Sequence, residues 1–416
     1  MKNRHYVTMN VYWFGLAFMW NALHPIVLPA LLLRFVPESL KNTYLGGMTF
    51  AGLILAMIVQ PLAGGLSDRT RARWGRRRPW ILAGTLASLG ILAGMALAGG
   101  FWVLLLTYVL LQVASNTAHG PAQGLIPDLV PSERRGVASG WKNLFDMGGL
   151  IVTSLVAGQL MGQDNPTLAF GVIAAVLAVS AAVTLVDTPE NALRAEMVVN
   201  DAEPQDPAEA PRRVGWRSHF DVDLRRYPDY AWLIASRFLI LMGIYAAQSF
   251  AQYFIQDRLA VSNAPEVTGN LMATIGIALT LLVFPAGWLS DRIGRRRLNV
   301  GSGLLASVGI FLLILVHDVR SLYLAGTVIG MATGVFVSVN WAWATDLIPA
   351  EKAGLYLGLS NLATAGSAAV SRLAGPLIDG LNAMRPGAYL GYPALFAVAS
   401  ASALAGALLM LRIRHR

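Results

Sequence analysis

Apolar runs of about twenty residues, separated by short charged or Pro- and Gly-rich breaks, recur along the whole chain. They fall at 11–33, 44–66, 79–99, 102–126, 136–160 and 168–187, and again at 229–256, 267–289, 298–316, 321–345, 354–380 and 391–411. A helix needs roughly 20 apolar residues to cross a bilayer, so each run is long enough. The pattern predicts an all-α membrane protein with 12 transmembrane helices. Between the two sets, residues 188–228 are rich in acid, Pro and Arg, above all from Asp201 to Pro211, and cannot bury a core. They read as a mobile cytoplasmic linker between an N-terminal six-helix bundle (1–187) and a C-terminal one (229–416).

The composition agrees. Charged residues make up 13% and apolar residues 55% of the 416 positions, against a charged share of about 25% in soluble domains. The chain has no cysteine, which excludes disulfides, thiolate metal sites and cysteine nucleophiles. Its net charge of +9 would suggest nucleic acid in a soluble domain. Here the cations sit in short loops, and orientation in the membrane explains them better. With the N-terminus inside, the cytoplasmic side collects Lys2, Arg4, the arginines from Arg69 to Arg78, Arg134, Arg135, Arg292, Arg295, Arg296, Arg297, Lys352 and those of the linker and C-terminus. The outer side receives only Arg34, Lys41, Arg258, Arg320 and Arg385. This imbalance predicts cytoplasmic termini and residence in the cell (inner) membrane. No small-residue cleavage site follows the first apolar run, so no removable signal is expected.

Two segments of the first half return in the second. Gly64-Gly65-Leu66-Ser67-Asp68-Arg69 recurs as Gly287-Trp288-Leu289-Ser290-Asp291-Arg292, and each is followed by Gly-Arg-Arg-Arg, at Gly75–Arg78 and Gly294–Arg297. Asp128-Leu129-Val130-Pro131-Ser132-Glu133-Arg134 recurs as Asp346-Leu347-Ile348-Pro349-Ala350-Glu351-Lys352. An even number of spans separates the copies, which makes this a parallel duplication. On these motifs the chain resembles the major facilitator superfamily, whose loop between the second and third helices carries Gly-x-Leu-x-Asp-Arg-x-Gly-Arg-Arg. The second copy fits without a gap. The first contains the insertion Thr70-Arg71-Ala72-Arg73 before Trp74-Gly75-Arg76-Arg77-Arg78-Pro79, a longer form that resembles the sucrose/proton symporters and, more distantly, the glycoside-pentoside-hexuronide cation symporters. The resemblance implies two six-helix bundles related by pseudo-two-fold symmetry, with the first, fourth, seventh and tenth helices lining a central cavity.

Carboxylates where a helix meets the cytoplasm can bond helix ends and arginines of a neighbouring segment. Asp68 and Asp291 are therefore candidates for a conformational latch, together with Arg69, Arg76, Asp128, Glu133, Arg292, Arg295, Asp346 and Glu351. The alternative is that the arginines anchor topology and contact anionic lipid.

Ionisable groups deep in a span cost about 2.5 to 3.5 kcal/mol each and call for a partner, a watery cavity or a function. Asp146 lies roughly 16 Å along its helix from Arg135, close to the bilayer centre, and Lys142 is four residues earlier on the same face. The two read either as a permanent ion pair or as a proton-loading carboxylate tuned by a movable ammonium. Gln112, Asn116, His119 and Gln123 step by four, three and four residues and draw a polar stripe along the fourth span. The first span adds Trp20, Asn21 and His24, the last just before Pro25. The second half answers with Tyr245, Gln248, Gln252 and Gln256 in the seventh span, and with Asn340, Trp341 and Trp343 in the tenth. Asn361, Thr364, Ser367 and Ser371 make a further stripe in the eleventh. Amides and hydroxyls pair with sugar hydroxyls while Trp or Tyr stacks on the C–H face; each residue alone reads equally as a helix-joining contact. His119 is a candidate for both substrate and proton. Arg237 and Arg372 raise the alternative of an anionic sugar, although Arg237 reads equally as a ligand of helix carbonyls. The chain departs from the resembled sucrose symporters in offering His119 and no carboxylate on the fourth span, and it lacks the paired aspartates of melibiose-type sodium carriers.

These features favour a secondary transporter that carries a sugar or glycoside with protons, acting as a monomer in the lipid bilayer. No cofactor, metal, nucleic acid or enzymatic activity is expected. A proton-driven exporter of amphiphiles would hold more aromatics and fewer amides, and a non-transporting sensor would need a signalling domain that a short polar linker does not supply.

Overall fold

Pro25 shapes the first span. A proline inside a helix lacks the N–H for its intrahelical bond and crowds the preceding turn. Accordingly α1 (Val11–Ala22) widens into a π-helical turn at Leu23–Val27 before resuming as Leu28–Leu32. The computed structural model describes residues 3–188, 190, 226–348 and 353–414. Most of the predicted linker, residues 191–225, and Glu351 lie outside the described residues. The other main helices are α2 (Lys41–Asp68), α3 (Arg78–Ala96), α4 (Phe101–Gln123), α5 (Arg135–Gly162) and α6 (Pro166–Asp187) in the first half. In the second half they are α7 (Pro228–Ser249), α8 (Ala264–Ile293), α9 (Arg295–Leu312), α10 (Val319–Asp346), α11 (Ala353–Arg372) and α12 (Gly391–Leu409).

Among the described residues there is no strand, as expected where a lipid environment leaves backbone groups no outside partner. Eleven helical segments among them are long and apolar enough to cross a membrane. The predicted eleventh span is not one of them: α11 ends at Arg372 and, after a break at Leu373–Ala374, Gly375–Met384 follows. The seventh is likewise interrupted at Phe250, beyond which a helix runs over Ala251–Arg258.

The duplication read from the motifs recurs in the packing. In the first half α1 packs on α5 and α6, and α3 on α4 and α6; in the second α7 packs on α11 and α12, and α9 on α10 and α12. Each second-half pair is the first-half pair advanced by six helices. Glycines bring these helices close, as small residues do where no water is left to squeeze out. A Cβ at Gly84 of α3 would sit 2.6 Å from the Ala114 carbonyl oxygen of α4, and one at Gly334 of α10 would sit 2.4 Å from that of Leu279 on α8. Among the described residues, those of Met1–Leu23 and Ala51–Arg213 form one compact unit, and those of His24–Phe50 and Val214–Arg416 a second.

Candidate functional site

In the first unit, α1, α4 and α5 converge on the ring of Trp13. The Lys142 ammonium lies over that ring, 4.0 Å from its centroid, and the His119 imidazole meets it edge-on at 5.1 Å. Lys142 also bonds Asp146 at 2.8 Å, with both side chains about three-quarters buried. A desolvated ammonium held by a carboxylate and an aromatic face has two partners and can keep one while releasing the other. Along α4, Gln112 donates to the Tyr108 hydroxyl (2.8 Å), Asn116 donates to the Gln112 carbonyl and side chain (2.8 and 3.2 Å), and His119 meets Gln123 at 3.3 Å. The predicted stripe is thus a ladder bonded along its own helix. Gln112 and Asn116 are buried and Gln123 is exposed. Trp20 of α1 stands edge-on to Tyr108 at 6.5 Å, while Asn21 donates back to the Ala17 carbonyl.

In the second unit the corresponding centre is Arg237 of α7. Its guanidinium donates to Asn340 on α10 (2.7 Å) and Thr364 on α11 (2.9 Å), and lies 5.7 Å from the centroid of the part-exposed Trp341 ring. Both hydrogen-bond partners are neutral. Tyr245 lies further along α7, within electrostatic reach of Arg237 and Arg372. The other predicted residues are placed elsewhere. Gln248 lines an apolar crevice with Met272, Ile275 and Phe396. Asn361 is exposed on α11. Gln252, with its amide nitrogen turned toward the first span, donates to the Pro25 and Ile26 carbonyls (3.0 Å each) and accepts from the Ala30 N–H (3.2 Å). It supplies the backbone groups that the π-helical turn leaves unpaired, beside His24.

The repeated loop motifs form two ionic clusters. In the first, Arg76 and Arg77 both bond Asp128 through their Nε atoms at 2.9 and 2.8 Å, Arg76 adds a second bond from Nη2, and Arg77 reaches Asp68 at 2.5 Å. The Asp128 bond raises the proton affinity of Arg76 above the ordinary arginine value. Glu190, which the sequence places in the linker, accepts backbone N–H bonds from Arg76, Arg77 and Arg78 at 2.7, 2.9 and 3.2 Å. In the second cluster Arg295 bonds Asp346 and the Ala342 carbonyl and lies 4.0 Å from Asp291. Three predicted latch residues stand apart from these clusters: Arg69 is exposed, Glu133 accepts from its neighbour Ser132, and Arg292 stacks on Trp288.

A further polar cluster escapes sequence reasoning. At the start of α2, buried Lys41 pairs with Asp257 at 2.5 Å, and the Tyr392 hydroxyl donates to the same carboxylate at 2.6 Å. Beside it, Asp379 accepts from the Asn42 amide (2.8 Å) and from the Thr43 N–H and hydroxyl (2.7 Å each). Lys41 and Asp257 have side chains only 3% and 4% exposed, which makes their pairing obligatory.

Comparison with known proteins fits this architecture. A family model described as "MFS/sugar transport protein" matches residues 13–411, nearly the whole chain. The chain belongs to that family of transporters. It is a multi-pass membrane protein with the major facilitator fold. Among solved structures, a D-xylose-proton symporter superposes over 99% of this chain and 98% of its own with a TM-score of 0.73, at 15% identity. Curated relatives in the family include the human protein "Proton-associated sugar transporter A", 30% identical over 207 residues, which are 44% of this chain and 27% of that protein. Another is "Sucrose transport protein SUT1" of Oryza sativa subsp. japonica, 34% identical over 123 residues, 24% of this chain and 23% of that one. The matched stretch spans well under half the length of each of these relatives.

Proposed function

We propose that this family member is a secondary transporter that moves a sugar or glycoside together with protons by alternating access, with both termini in the cytoplasm. The observation that carries this reading is the Trp13 centre, where His119 and Lys142 meet one aromatic ring and Asp146 holds the ammonium. Once Lys142 leaves it, the buried Trp13 ring would offer a face for a pyranose C–H surface, and the α4 amides would exchange their intrahelical bonds for the sugar hydroxyls. A proton taken up by Asp146 would neutralise the partner of Lys142 and free the ammonium for a substrate oxygen. Return of the proton would restore the ion pair and displace the sugar. The names of the relatives, which include a proton-associated sugar transporter and sucrose transport proteins, support the same substrate class and driving ion. In this cycle the two arginine–carboxylate clusters and the Lys41–Asp257 pair act as contacts that break and reform, the latter on the side that the charge bias assigns to the outside.

The test is uptake of a labelled carbohydrate panel into proteoliposomes with pH and sodium gradients imposed separately. Accumulation of a neutral sugar is expected with an alkaline interior and none with sodium alone. Asp146→Asn is expected to abolish accumulation while leaving exchange of labelled for unlabelled sugar across the membrane; concentrative uptake by that variant removes Asp146 from the coupling step.

Arg237 favours a second reading, a substrate bearing a carboxylate, because the guanidinium is buried between neutral partners beside a part-exposed indole. Competition by hexuronates that exceeds competition by the matching hexoses, and is lost in Arg237→Gln, would select it.

A further inference from the structure

The second arginine loop borders a cavity of about 720 Å³. Arg295, Arg296 and Arg297 form one end of it, while Gly301, Leu304 and Leu411 line the rest. The charges are unequally committed. Arg295 is paired with Asp346, but Arg296 spends one nitrogen on the Leu411 carbonyl, and Arg297 is exposed with no ion pair among the described residues. Two guanidiniums are thus left to face an anion. Leu304 lies nine residues beyond Arg295 on the same helix, roughly 13 Å along the axis at ~1.5 Å per residue. The cavity therefore runs from a cationic end to an aliphatic wall over about the depth that separates a lipid phosphate from the upper acyl chain. Leu304 and Leu411 are 38% and 50% exposed, as on a lipid-facing surface. At Gly301 no atom stands within 4 Å of where a Cβ would be, which makes this residue the floor of the trough.

We propose that this trough binds an anionic phospholipid, with the headgroup phosphate on Arg296 and Arg297 and an acyl chain over Gly301 and against Leu304 and Leu411. A small soluble anion would have no use for the aliphatic wall, and a zwitterionic lipid brings an ammonium that two guanidiniums repel. Arginine suits the role because its planar fork meets phosphate oxygens two at a time. The site rests on the membrane setting of the chain and is independent of what the protein carries.

The experiment is native mass spectrometry of the delipidated full-length protein, titrated with phosphatidylglycerol or with phosphatidylcholine of the same chain length. The unaltered protein is expected to retain one phosphatidylglycerol in preference to phosphatidylcholine. Replacing both arginines (Arg296→Gln with Arg297→Gln) should weaken that retention about thirtyfold, at roughly 1 kcal/mol per arginine near a lipid surface. Gly301→Leu, whose Cβ would stand in open space, should displace the lipid with both arginines intact and the melting temperature unchanged. The control pair Arg69→Gln with Arg71→Gln, exposed arginines of the first loop, should leave retention as it was. Equal retention of the two lipids by the unaltered protein overturns the proposal, as does undiminished retention by the Gly301 variant. An equal loss in the control pair would reduce the effect to general basicity, and binding of inorganic phosphate as tight as that of the lipid would make the site one for soluble anions.

Discussion

The two copies of the arginine loop share their residues and differ in where the next helix starts. In the first copy α3 begins at Arg78, so Arg76 and Arg77 lie in the bend before it and both fold back onto Asp128. In the second copy α9 begins at Arg295, and all three arginines occupy its first turn. Side chains on successive helical residues point about 100° apart, so only one of the three can meet Asp346. The insertion Thr70–Arg73 gives the first loop its slack, and Glu190 then satisfies the backbone N–H groups that precede the helix. One motif thus becomes a closed ionic knot in one half and a single bridge with spare cations in the other.

The sharpest way to break this comparison is to remove the aspartate from each copy. Asp128→Asn leaves two arginines, 19% and 7% exposed, without their shared carboxylate and should cost about 3 kcal/mol. Asp346→Asn disrupts a pair whose side chains are 27% and 44% exposed and should cost under about 1 kcal/mol. Melting temperatures in detergent should fall in that order, and equal shifts would show the copies to be energetically alike. A finer probe is the glycine before each arginine string. Gly75 has φ of 113°, and a Cβ there would sit 2.2 Å from the Glu190 carboxylate. Gly294 has φ of 98° with open space around it. Gly75→Ala should therefore destabilise by about 2 kcal/mol, and Gly294→Ala by about 1 kcal/mol, the conformational part alone. A further probe is Glu190→Gln, expected to cost about 1 kcal/mol, since the amide oxygen still accepts N–H bonds but the charge and the second acceptor oxygen are lost. The same melting assay reads it, and a shift as large as that of Asp128→Asn would make the cap, not the knot, the main stabiliser.

Much of this was legible in the sequence, for reasons that are local. Apolar runs gave the spans because a bilayer tolerates little else. The four-residue step from Lys142 to Asp146 predicted their contact because helix geometry alone decides it. The duplicated motif put Asp68, Arg76, Asp128, Asp291, Arg295 and Asp346 among the latch candidates, but equally Arg69, Glu133 and Arg292, which stand apart from the clusters. What stayed hidden depends on tertiary packing. Trp13 reads as one aromatic among many, and only the approach of α4 and α5 makes it the meeting point of His119 and Lys142. Gln252 reads as a substrate ligand because a buried amide must bond something, and its partners are backbone carbonyls of another span. Lys41, Asp257 and Asp379 lie near helix ends, where charge is cheap and draws no notice, and their pairing joins residues more than two hundred positions apart.

Glu190 carries a practical consequence. Anyone severing the chain into two co-expressed pieces would choose the acid- and proline-rich stretch, and a break just after Asp187 would look natural. Such a first piece would lose the carboxylate that holds three amides of a loop more than a hundred residues upstream. The division should fall beyond position 190, so that the piece carries its own fastening.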